Sequence, residues 1–580
     1  MADFAIGTTD FLMDGQPFRV LSGAMHYFRV HPDQWADRIH KARLMGLNTI
    51  ETYVAWNAHS PRPGSFDTFG QLDLDRFLRL IADEGMYAIV RPGPFICAEW
   101  DNGGFPGWLF RDPSVGVRTS EPLYVAAVTD YLRQVLEIVE PLQVQHGGPV
   151  ILVQIENEYG AYGDDKEYLQ TLVDVTRAAG IRVPLTTIDQ PTDQMLADGS
   201  LPELHKTGSF GSRSRERLDT LRRHQPTGPL MCAEFWDGWF DHWGDRHHVT
   251  PVDEAAHELD ELLAAGASVN IYMFHGGTNF GFTNGANDKG VYQPTVTSYD
   301  YDAPLDEAGN PTAKYWAFRD VIAKYSSVPK ERPAEPSPAP QFAVPLRPVA
   351  ALFDIVDSLG QWRHSSHLPT ADDVDNYRGF TLYRTELADA AGGVLEFADV
   401  RDRAQVFLDG RAIGILNRDF HERAIVLPQG RMLELLVEDQ GRVNYGQKIG
   451  EHKGLIGPAR LGDTPLERWS VMPLPFDSID AVLGNPLDSY PAGPAFLLGV
   501  AELDDLHDLF LSTEGWGKGV VWINGLNLGR FWGRGPQSTL YVPASVLRVG
   551  KNEIVVLELQ VSVEPTATFV SEARLGHTEA

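Results

Sequence analysis

Two glutamates, each followed by aromatic residues, are the residues of this chain best placed to do chemistry. Glu158 stands in QIENEYG (154–160), and Glu234 stands in AEFWDGW (233–239). Both follow short apolar runs with the pattern of buried strands. Two facing carboxylates can act as a nucleophile and as a general acid that later becomes a base, which is the chemistry of retaining glycosidases. A single glutamate at a strand end is usually solvated or ion-paired, so the prediction depends on the pair.

Aromatic side chains are frequent in the loops around these glutamates. Sugar rings present C–H faces that pack on aromatic rings, so a carbohydrate site should contain several. The aromatic residues in the candidate loops are Trp100, Trp108, Trp236, Trp239, Trp243 and Tyr301. Glu156 is interpreted as a supporting carboxylate that lies deeper than Glu158 on the same strand face.

Eight strand-like runs can position these side chains. They are Val20–Met25, Asn48–Val54, Tyr87–Pro94, Pro149–Glu158, Val183–Thr187, His205–Phe210, Pro229–Phe235 and Ser268–Phe274, and the sixth is weak. Helical patterns lie at Asp33–Gly46, Asp75–Gly85, Glu121–His146, Asp165–Ala179 and Val252–Ala265. Repeated βα units predict a closed (β/α)8 barrel, in which functional side chains stand at the C-terminal ends of the strands.

The composition changes after residue 326. Residues 327–348 are dense in proline, which predicts an extended, irregular linker. Short alternating strands with Gly, Asn and Asp turns follow, the pattern of β-sandwich or jelly-roll domains. Segments 404–418 and 519–534 both predict a tight type I′ hairpin and suggest two related β-domains. We expect a barrel at 1–326 and β-domains at 349–480 and 481–580, with the linker able to donate a strand to the last domain.

The bulk composition limits the classes of partner. The formal net charge of −30 disfavours nucleic acid and anionic membranes, whereas neutral sugars would not be repelled. The two cysteines predict no disulfide framework, the first residues lack a signal-peptide pattern, and no run of about 18 apolar residues suggests a membrane span. These features predict a cytoplasmic protein acting on small oligosaccharides, with a monomer and a homo-oligomer such as a dimer both left open.

Three other motifs have weaker functional interpretations. His242, His247 and His248 could suggest a metal, but hydrogen-bonded or solvated imidazoles are preferred, and no metal or cofactor is expected. The glycines of HGGTNFGFTNG (275–285) are interpreted as a loop that approaches the site closely rather than a phosphate loop. Cys97 is interpreted as a small buried thiol rather than a nucleophile.

Long motifs in family order make the first domain resemble glycoside hydrolase family 35, the family of lysosomal-type acid β-galactosidase. They are 38–48, ETYVAWN (51–57), RPGPFICAEWDNGGFPGWL (91–109), GGPVILVQIENEYG (147–160), AEFWDGWFDHWG (233–244), MFHGGTNFGFTNGA (273–286) and TSYDYDAPLDEAGN (297–310). The resemblance implies a retaining exo-β-galactosidase that needs no cofactor. The β-rich remainder resembles the family's C-terminal domains more loosely, with a galactose-binding-like jelly roll at 481–580.

The resemblance also implies roles for the matched residues. Glu158 would be the acid/base, Glu234 the nucleophile, and Asn157 would hold the sugar 2-hydroxyl. The residues expected around the sugar are Tyr53, Glu99 and Tyr301 on its hydroxyls, Cys97 and Ala98 beside Glu99, and Trp239 against the ring. Ala233 departs from the Ser or Asn often found before the nucleophile, and Trp236 from the Tyr often found after it, so linkage preference stays open.

Two other functions remain open at this point. The same machinery could remove β-glucosaminyl residues, although the pocket implied by Tyr53, Glu99 and Tyr301 favours galactose. A non-catalytic carbohydrate-binding barrel is the alternative of a different class, and the presence of both Glu158 and Glu234 argues against it. The β-domains could bind sugar themselves, but we expect them to buttress the barrel.

Overall fold

A closed barrel of eight parallel strands forms the first part of the chain. The computed structural model describes residues 2–335, 337–388, 391–482, 487–491, 493–561 and 565–578. The strands are β1 (Leu21–Met25), β2 (Thr49–Tyr53), β3 (Tyr87–Arg91), β4 (Val150–Gln154), β5 (Leu185–Asp189), β6 (His205–Ser209), β7 (Met231–Trp236) and β8 (Ser268–His275). All eight predicted runs, including the weak sixth, are therefore barrel strands, and the predicted fold class is confirmed.

The fourth strand is shorter than its apolar run. Strand β4 ends at Gln154, whereas the sequence suggested a strand as far as Glu158. Glu156 and Glu158 have φ angles of 57° and 45°, which lie in the left-handed region and cannot continue a strand. The acidic residues therefore stand on a loop above the barrel and not on a strand face.

Helices surround the barrel. The longer ones are α1 (Trp35–Met45), α2 (Leu74–Asp83), α3 (Pro122–Val139), α4 (Lys166–Ala178), α5 (Ser214–His224), α6 (Val252–Ala264) and α7 (Ala313–Ile322), and shorter ones lie at Trp56–His59, Asp193–Asp198 and Leu352–Leu359. Helix α2 shows why these segments form helices that pack on the barrel. The side chain of Asp73 accepts from the backbone N–H of Arg76 at 2.9 Å and so caps the first turn, and apolar residues at 3–4-residue spacing face the barrel. Helix α3 ends earlier than its pattern suggested, because Pro141 cannot continue an α-helix and a 3₁₀ turn follows.

The remainder is β-structure built on antiparallel sheets. One six-stranded sheet has the order Arg363–Ser365, Trp469–Leu474, Phe380–Glu386, Met432–Glu438, Arg403–Leu408, Arg411–Asn417. A four-stranded sheet has the order Ala424–Leu427, Gly393–Glu396, Arg460–Leu461, Thr464–Pro465. A two-stranded sheet pairs Asp399–Arg401 with Gly454–Ile456. A five-stranded sheet (Arg347–Ala351, Ala495–Leu503, Gly550–Glu558, Lys518–Ile523, Leu526–Trp532) and a four-stranded sheet (Phe342–Pro345, Thr566–Val570, Leu509–Ser512, Thr539–Val542) complete it.

Both predicted hairpins are present. Their two-residue turns are Asp409-Gly410 and Asn524-Gly525, and all four residues have positive φ, as a type I′ turn requires. The proline-rich segment is only partly irregular. Strands Phe342–Pro345 and Arg347–Ala351 pair with Thr566–Val570 and Ala495–Leu503, so chain leaving the barrel contributes to the sheets of the last domain.

A hairpin and buried contacts join the barrel to the β-structure. A three-stranded sheet (Phe4–Ile6, Phe11–Met13, Gln16–Phe18) precedes β1, and a hairpin (Ala286–Asp288, Tyr292–Pro294) follows β8. Asn284 donates to the carbonyl of Gln440 at 2.8 Å, and the hydroxyl of Thr297 donates to the carbonyl of Arg530 at 2.7 Å. Within the described ranges, no helix has the length and apolar character needed to cross a membrane.

Candidate active site

One cavity at the C-terminal ends of the barrel strands brings the predicted site residues together. Its volume is about 160 Å³. This is below the roughly 300–1,000 Å³ of pockets for drug-sized ligands, so it suits a small ring. Every predicted site residue lines it: Tyr53, Cys97, Ala98, Glu99, Asn157, Glu158, Glu234, Trp236, Trp239 and Tyr301.

Glu234, near the end of β7, accepts hydrogen bonds from four donors. Its Oε1 accepts from the hydroxyl of Tyr53 at 2.7 Å and from Nη2 of Arg91 at 2.6 Å. Its Oε2 accepts from Ser209 Oγ at 3.2 Å and from Trp236 Nε1 at 3.1 Å. Trp236 thus supplies a donor where the family pattern often has a tyrosine. Because a buried guanidinium contacts only Oε1, Oε2 is the less strongly bound oxygen.

Glu158 lies in a contrasting environment. Burial, followed by repulsion from Glu234, raises the pKa of Glu158 to about 7, although hydrogen bonds from Ser209 and Gln190 and the charge of Arg91 oppose the shift. Its Oε1 has no hydrogen-bond partner among the described residues. The cavity therefore holds one carboxyl that readily carries a proton beside one whose negative charge is compensated.

Asn157 directly precedes Glu158 in the loop after β4. Its Oδ1 accepts from Nη2 of Arg91 and, more weakly, from Gln154 at 3.5 Å, and it lies 2.9 Å from the hydroxyl of Tyr53, whose proton goes to Glu234. These donors fix which end of the amide is oxygen. The amide nitrogen is therefore the group that can donate to a ligand hydroxyl.

Glu99 forms the floor of the cavity on a strained turn. Cys97, Ala98 and Glu99 have consecutive φ angles of 55°, 54° and 47°, a left-handed conformation that is unfavourable for each of them. The Glu99 carboxylate accepts from the hydroxyl of Tyr299 at 2.6 Å and from Asn444 Nδ2 at 3.3 Å. Burial raises the pKa of Glu99 to about 7 despite these donors. Strain of this kind aims the carboxylate into the site.

Aromatic rings form the walls of the cavity. Trp239 packs edge-on against Trp236 with ring centroids 5.7 Å apart and stacks on Phe240 at 4.9 Å. Tyr301 packs edge-on against Tyr272 at 5.4 Å. Trp239 is 39% exposed, so a large apolar face is open to a ligand at the mouth.

Other aromatic residues in the candidate loops have structural partners instead. Trp100 donates to the Asn57 side chain and Trp108 to the carbonyl of Ser60, both at 2.8 Å. Trp243 packs in a small separate apolar cluster. These three tryptophans do not line the cavity, so proximity in sequence overstated the number of aromatic ligand contacts.

Glu156 supports the site from below. It forms a two-pronged ion pair with Arg118, at 2.9 and 2.7 Å, and accepts from the hydroxyl of Tyr168 at 2.9 Å. Its Oε2 also accepts from the backbone N–H of Asn157 at 2.6 Å. The contacts agree with the supporting role suggested by the sequence, although Glu156 is on a loop.

The histidines near Glu234 are hydrogen-bonded to side chains. Asp241 accepts from His247 at 2.7 Å and from His248 at 3.0 Å, and His242 lies 3.0 Å from the Asn287 side-chain oxygen. Across the residues that the structure describes, no group of three or more His, Cys, Asp or Glu is arranged to hold a metal ion.

Several lining residues were not anticipated from the sequence. They are Gln190, Phe240, Tyr272, Asn287, Lys289 and Tyr445. Phe240 stood in the motif at 233–244 and Tyr272 in the strand-like run at 268–274, so their places beside β7 and on β8 could have indicated them. Tyr445 carried no such signal, because it lies far along the chain in the β-structure.

The segment around Tyr445 closes one side of the cavity. The backbone N–H of Arg442 donates to Asp101 at 2.8 Å, which attaches this segment to the loop after Glu99. Two residues later, Asn444 Nδ2 contacts both Glu99 and, at 3.4 Å, the thiol of Cys97. The sugar-sized cavity is therefore completed by chain from outside the barrel.

Comparison with known proteins assigns the chain to a family. Residues 10–325 match the model of glycosyl hydrolases family 35. The chain belongs to glycoside hydrolase family 35. β-Galactosidases of Bos taurus and Homo sapiens are each 43% identical to it, covering 95% of this chain and 89% and 86% of theirs. The β-galactosidase of Xanthomonas manihotis is 40% identical and covers 94% of this chain and 92% of its own.

The β-structure of this family 35 member also matches known models. Residues 369–475 match the first all-beta domain of β-galactosidase, and residues 494–552 match the galactose-binding domain. Asn444 and Tyr445 fall within the first of these. The family 35 chain thus uses its first all-beta domain to complete a cavity whose carboxyl groups come from the barrel.

Proposed function

We propose that this chain is a retaining exo-β-galactosidase in which Glu234 is the nucleophile and Glu158 the general acid and base. The observation that carries the assignment is the contrast between the two carboxyls. Glu234 accepts four hydrogen bonds, whereas burial and Glu234 raise the pKa of Glu158 to about 7. A carboxyl whose pKa is raised, beside a carboxylate that is hydrogen-bonded and ion-paired, is the arrangement expected of a general acid and a nucleophile. The family relatives named β-galactosidase support the substrate.

The first step breaks the glycosidic bond. Oε2 of Glu234 attacks the anomeric carbon, while Glu158 gives its proton to the leaving oxygen. Glu158, now ionised, takes a proton from water, and the hydroxide attacks the same carbon and releases Glu234. The configuration is inverted twice and so retained.

The binding residues suit one terminal sugar ring. Glu99 and Tyr301 supply an acceptor and a hydroxyl for the ring hydroxyls, and the Asn157 amide supplies a donor for the 2-hydroxyl. A hydrogen bond that strengthens as charge develops on the ring favours the transition state over the ground state. The small volume of the cavity supports exo cleavage, because a chain extending beyond this ring has no room there.

Substrate and roles are tested together with purified enzyme. Nitrophenyl β-galactoside, β-glucoside, β-glucosaminide and α-galactoside are compared without added metal. Preference for the β-galactoside supports the proposal. Preference for the β-glucosaminide would mean that the same catalytic residues act on another sugar. No activity on any of the four substrates would favour a non-catalytic binding protein.

The two glutamates are separated by a leaving-group test. Glu234→Gln should abolish turnover of every substrate, whereas Glu158→Gln should keep activity on a dinitrophenyl β-galactoside, because an activated leaving group needs no proton. Azide should restore the rate of Glu158→Gln by replacing the activated water. Equal losses for both variants on the activated substrate would contradict the roles.

Cytoplasmic location and substrates taken up as small oligosaccharides are also proposed. The sparse cysteine content supports this, and Cys97 and Cys232 are both free thiols. Fractionation of cells that express the chain, with periplasmic and cytoplasmic marker enzymes, tests the location. Light scattering of the purified protein decides between a monomer and a dimer.

A further inference from the structure

A further carboxylate, Glu51, lies beneath the nucleophile inside the barrel. Glu51 is on β2, two residues before Tyr53, so both side chains point into the barrel and Glu51 lies one layer deeper. Its side chain is 2% exposed. Glu51 does not line the sugar cavity, and the mechanism above does not use it.

Glu51 shares the guanidinium that holds the nucleophile. Arg91 Nη1 lies 3.5 Å from Glu51 Oε1, while Nη2 of the same side chain donates to Glu234 Oε1 at 2.6 Å. Asn270 donates to Glu51 Oε2 at 3.0 Å and to the carbonyl of Ala233, beside the nucleophile, at 2.9 Å. The chain of contacts Asn270–Glu51–Arg91–Glu234 therefore connects β8, β2, β3 and β7.

A small polar cavity lies among these groups. Glu51, Arg91 and Asn270 line a space of about 10 Å³. Glu51 Oε1, Arg91 Nη1 and Asn270 Oδ1 have no hydrogen-bond partner among the described residues. Buried polar atoms are nearly always paired, and a space of roughly 10–15 Å³ with two to four polar partners accommodates one water.

We propose that Glu51 is a positioning residue for the nucleophile, which with one buried water directs Arg91 toward Glu234 and shares its positive charge. The role deepens the proposed function and rests on it. When Glu51 is ionised, one guanidinium compensates two carboxylates, so Glu234 remains a good nucleophile. When Glu51 is neutral, the full charge of Arg91 acts on Glu234 and makes it less nucleophilic.

The surroundings of Glu51 favour its neutral form more than water does. Burial raises the pKa of Glu51 to about 7, with Arg91 lowering it and Glu234 raising it further, and Asn270 is the remaining polar group against it. Repulsion from Glu234 is also one cause of the raised pKa of Glu158. A neutral residue at position 51 leaves Glu234 better compensated, so the pKa of Glu158 should fall.

The test is the pH profile of Glu51→Gln. Glutamine has the same size and can still accept from Asn270, so the fold should persist, as checked by thermal unfolding. We expect kcat to fall about ten-fold above about pH 7, where Glu51 of the wild type is ionised, and to change little at lower pH, where Glu51 is already neutral. We also expect the basic limb of kcat/KM to move to lower pH by about half a unit or more. A purely structural role would not move this limb.

Two further variants make the result decisive. Glu51→Asp keeps the charge and shortens the side chain, so its kcat should fall while the basic limb of its kcat/KM profile stays in place. This variant also tests the proposal if Glu51→Gln does not fold. Glu137→Gln, on the exposed face of α3, removes the same charge far from these contacts and should change neither quantity. A Glu51→Gln enzyme with the wild-type profile, or a shifted limb in Glu51→Asp, overturns the proposal. Profiles are recorded on whichever glycoside the wild type turns over best, so a wrong sugar assignment is detected separately.

Discussion

The Arg442 side chain stabilises the segment of the first all-beta domain that closes the cavity, and its removal should loosen that segment. Its guanidinium lies 2.9 Å from Asp372 and 3.6 Å from Asp439, and its backbone N–H donates to Asp101. The Arg442 and Asp372 side chains are each 1% exposed. Arg442→Met keeps much of the side-chain length and removes the charge, which leaves buried carboxylates uncompensated.

The expected cost is large because the ion pair is buried. Removing one partner of such a pair costs about 3–5 kcal/mol. For domains of this size that corresponds to a fall of about 10 °C or more in the melting temperature. The KM should also rise several-fold, because Tyr445, three residues beyond Arg442, lines the cavity, and Asn444, two residues beyond it, donates to Glu99.

The loss should depend on pH in one direction. Burial, followed by repulsion from Asp439, already raises the pKa of Asp101 to about 7, and Arg442 opposes this rise. A carboxyl whose pKa is raised by folding stabilises the fold below its unfolded pKa and loses that contribution as pH rises through the folded value. Without Arg442 the pKa of Asp101 should rise further, so the variant should be closer to wild type at pH 5 than at pH 8.

Calorimetry and steady-state kinetics at both pH values measure these effects. Arg79→Met is the matched control, because Arg79 pairs with Asp75 at 2.7 Å but both side chains are exposed, and such pairs contribute little. Asp372→Asn combined with Arg442→Met should cost less than the sum of the single changes. An Arg442→Met enzyme that melts with the Arg79→Met control and keeps the wild-type KM would refute the reasoning.

Three further predictions concern the cavity itself. Because the pKa of Glu158 is raised to about 7, kcat/KM on a substrate with a poor leaving group should fall above about pH 7, and the basic limb should disappear in Glu158→Gln measured with an activated leaving group. Glu99→Gln should lower kcat/KM about 10–100-fold, the value of a charged hydrogen bond to a sugar hydroxyl, and an unchanged value would remove Glu99 from the binding site. Trp239→Ala should raise KM about ten-fold through the loss of an aromatic face, whereas Phe69→Ala, at an aromatic residue that is 82% exposed, should leave KM unchanged.

Local patterns made the barrel and the proposed catalytic pair predictable. Buried parallel strands are short apolar runs, and eight of them could be recognised because each is a continuous segment. Glu158 and Glu234 stand within a few residues of strand ends, and long contiguous motifs around them resemble family 35. The predicted strand that extended to Glu158 was too long, because the strand ends at Gln154 and the backbone of Glu156 and Glu158 is left-handed.

The sequence alone therefore determined the architecture, the family and the pair of glutamates, because these depend on short segments. Only the tertiary structure decided how the groups are charged and what completes the cavity. The raised pKa of Glu158 follows from its burial and from repulsion by Glu234, which lies on β7. Asn444 meets Glu99 across 345 positions of sequence, and no periodicity or motif links residues so far apart. Such contacts exist only once the all-beta domain packs against the barrel.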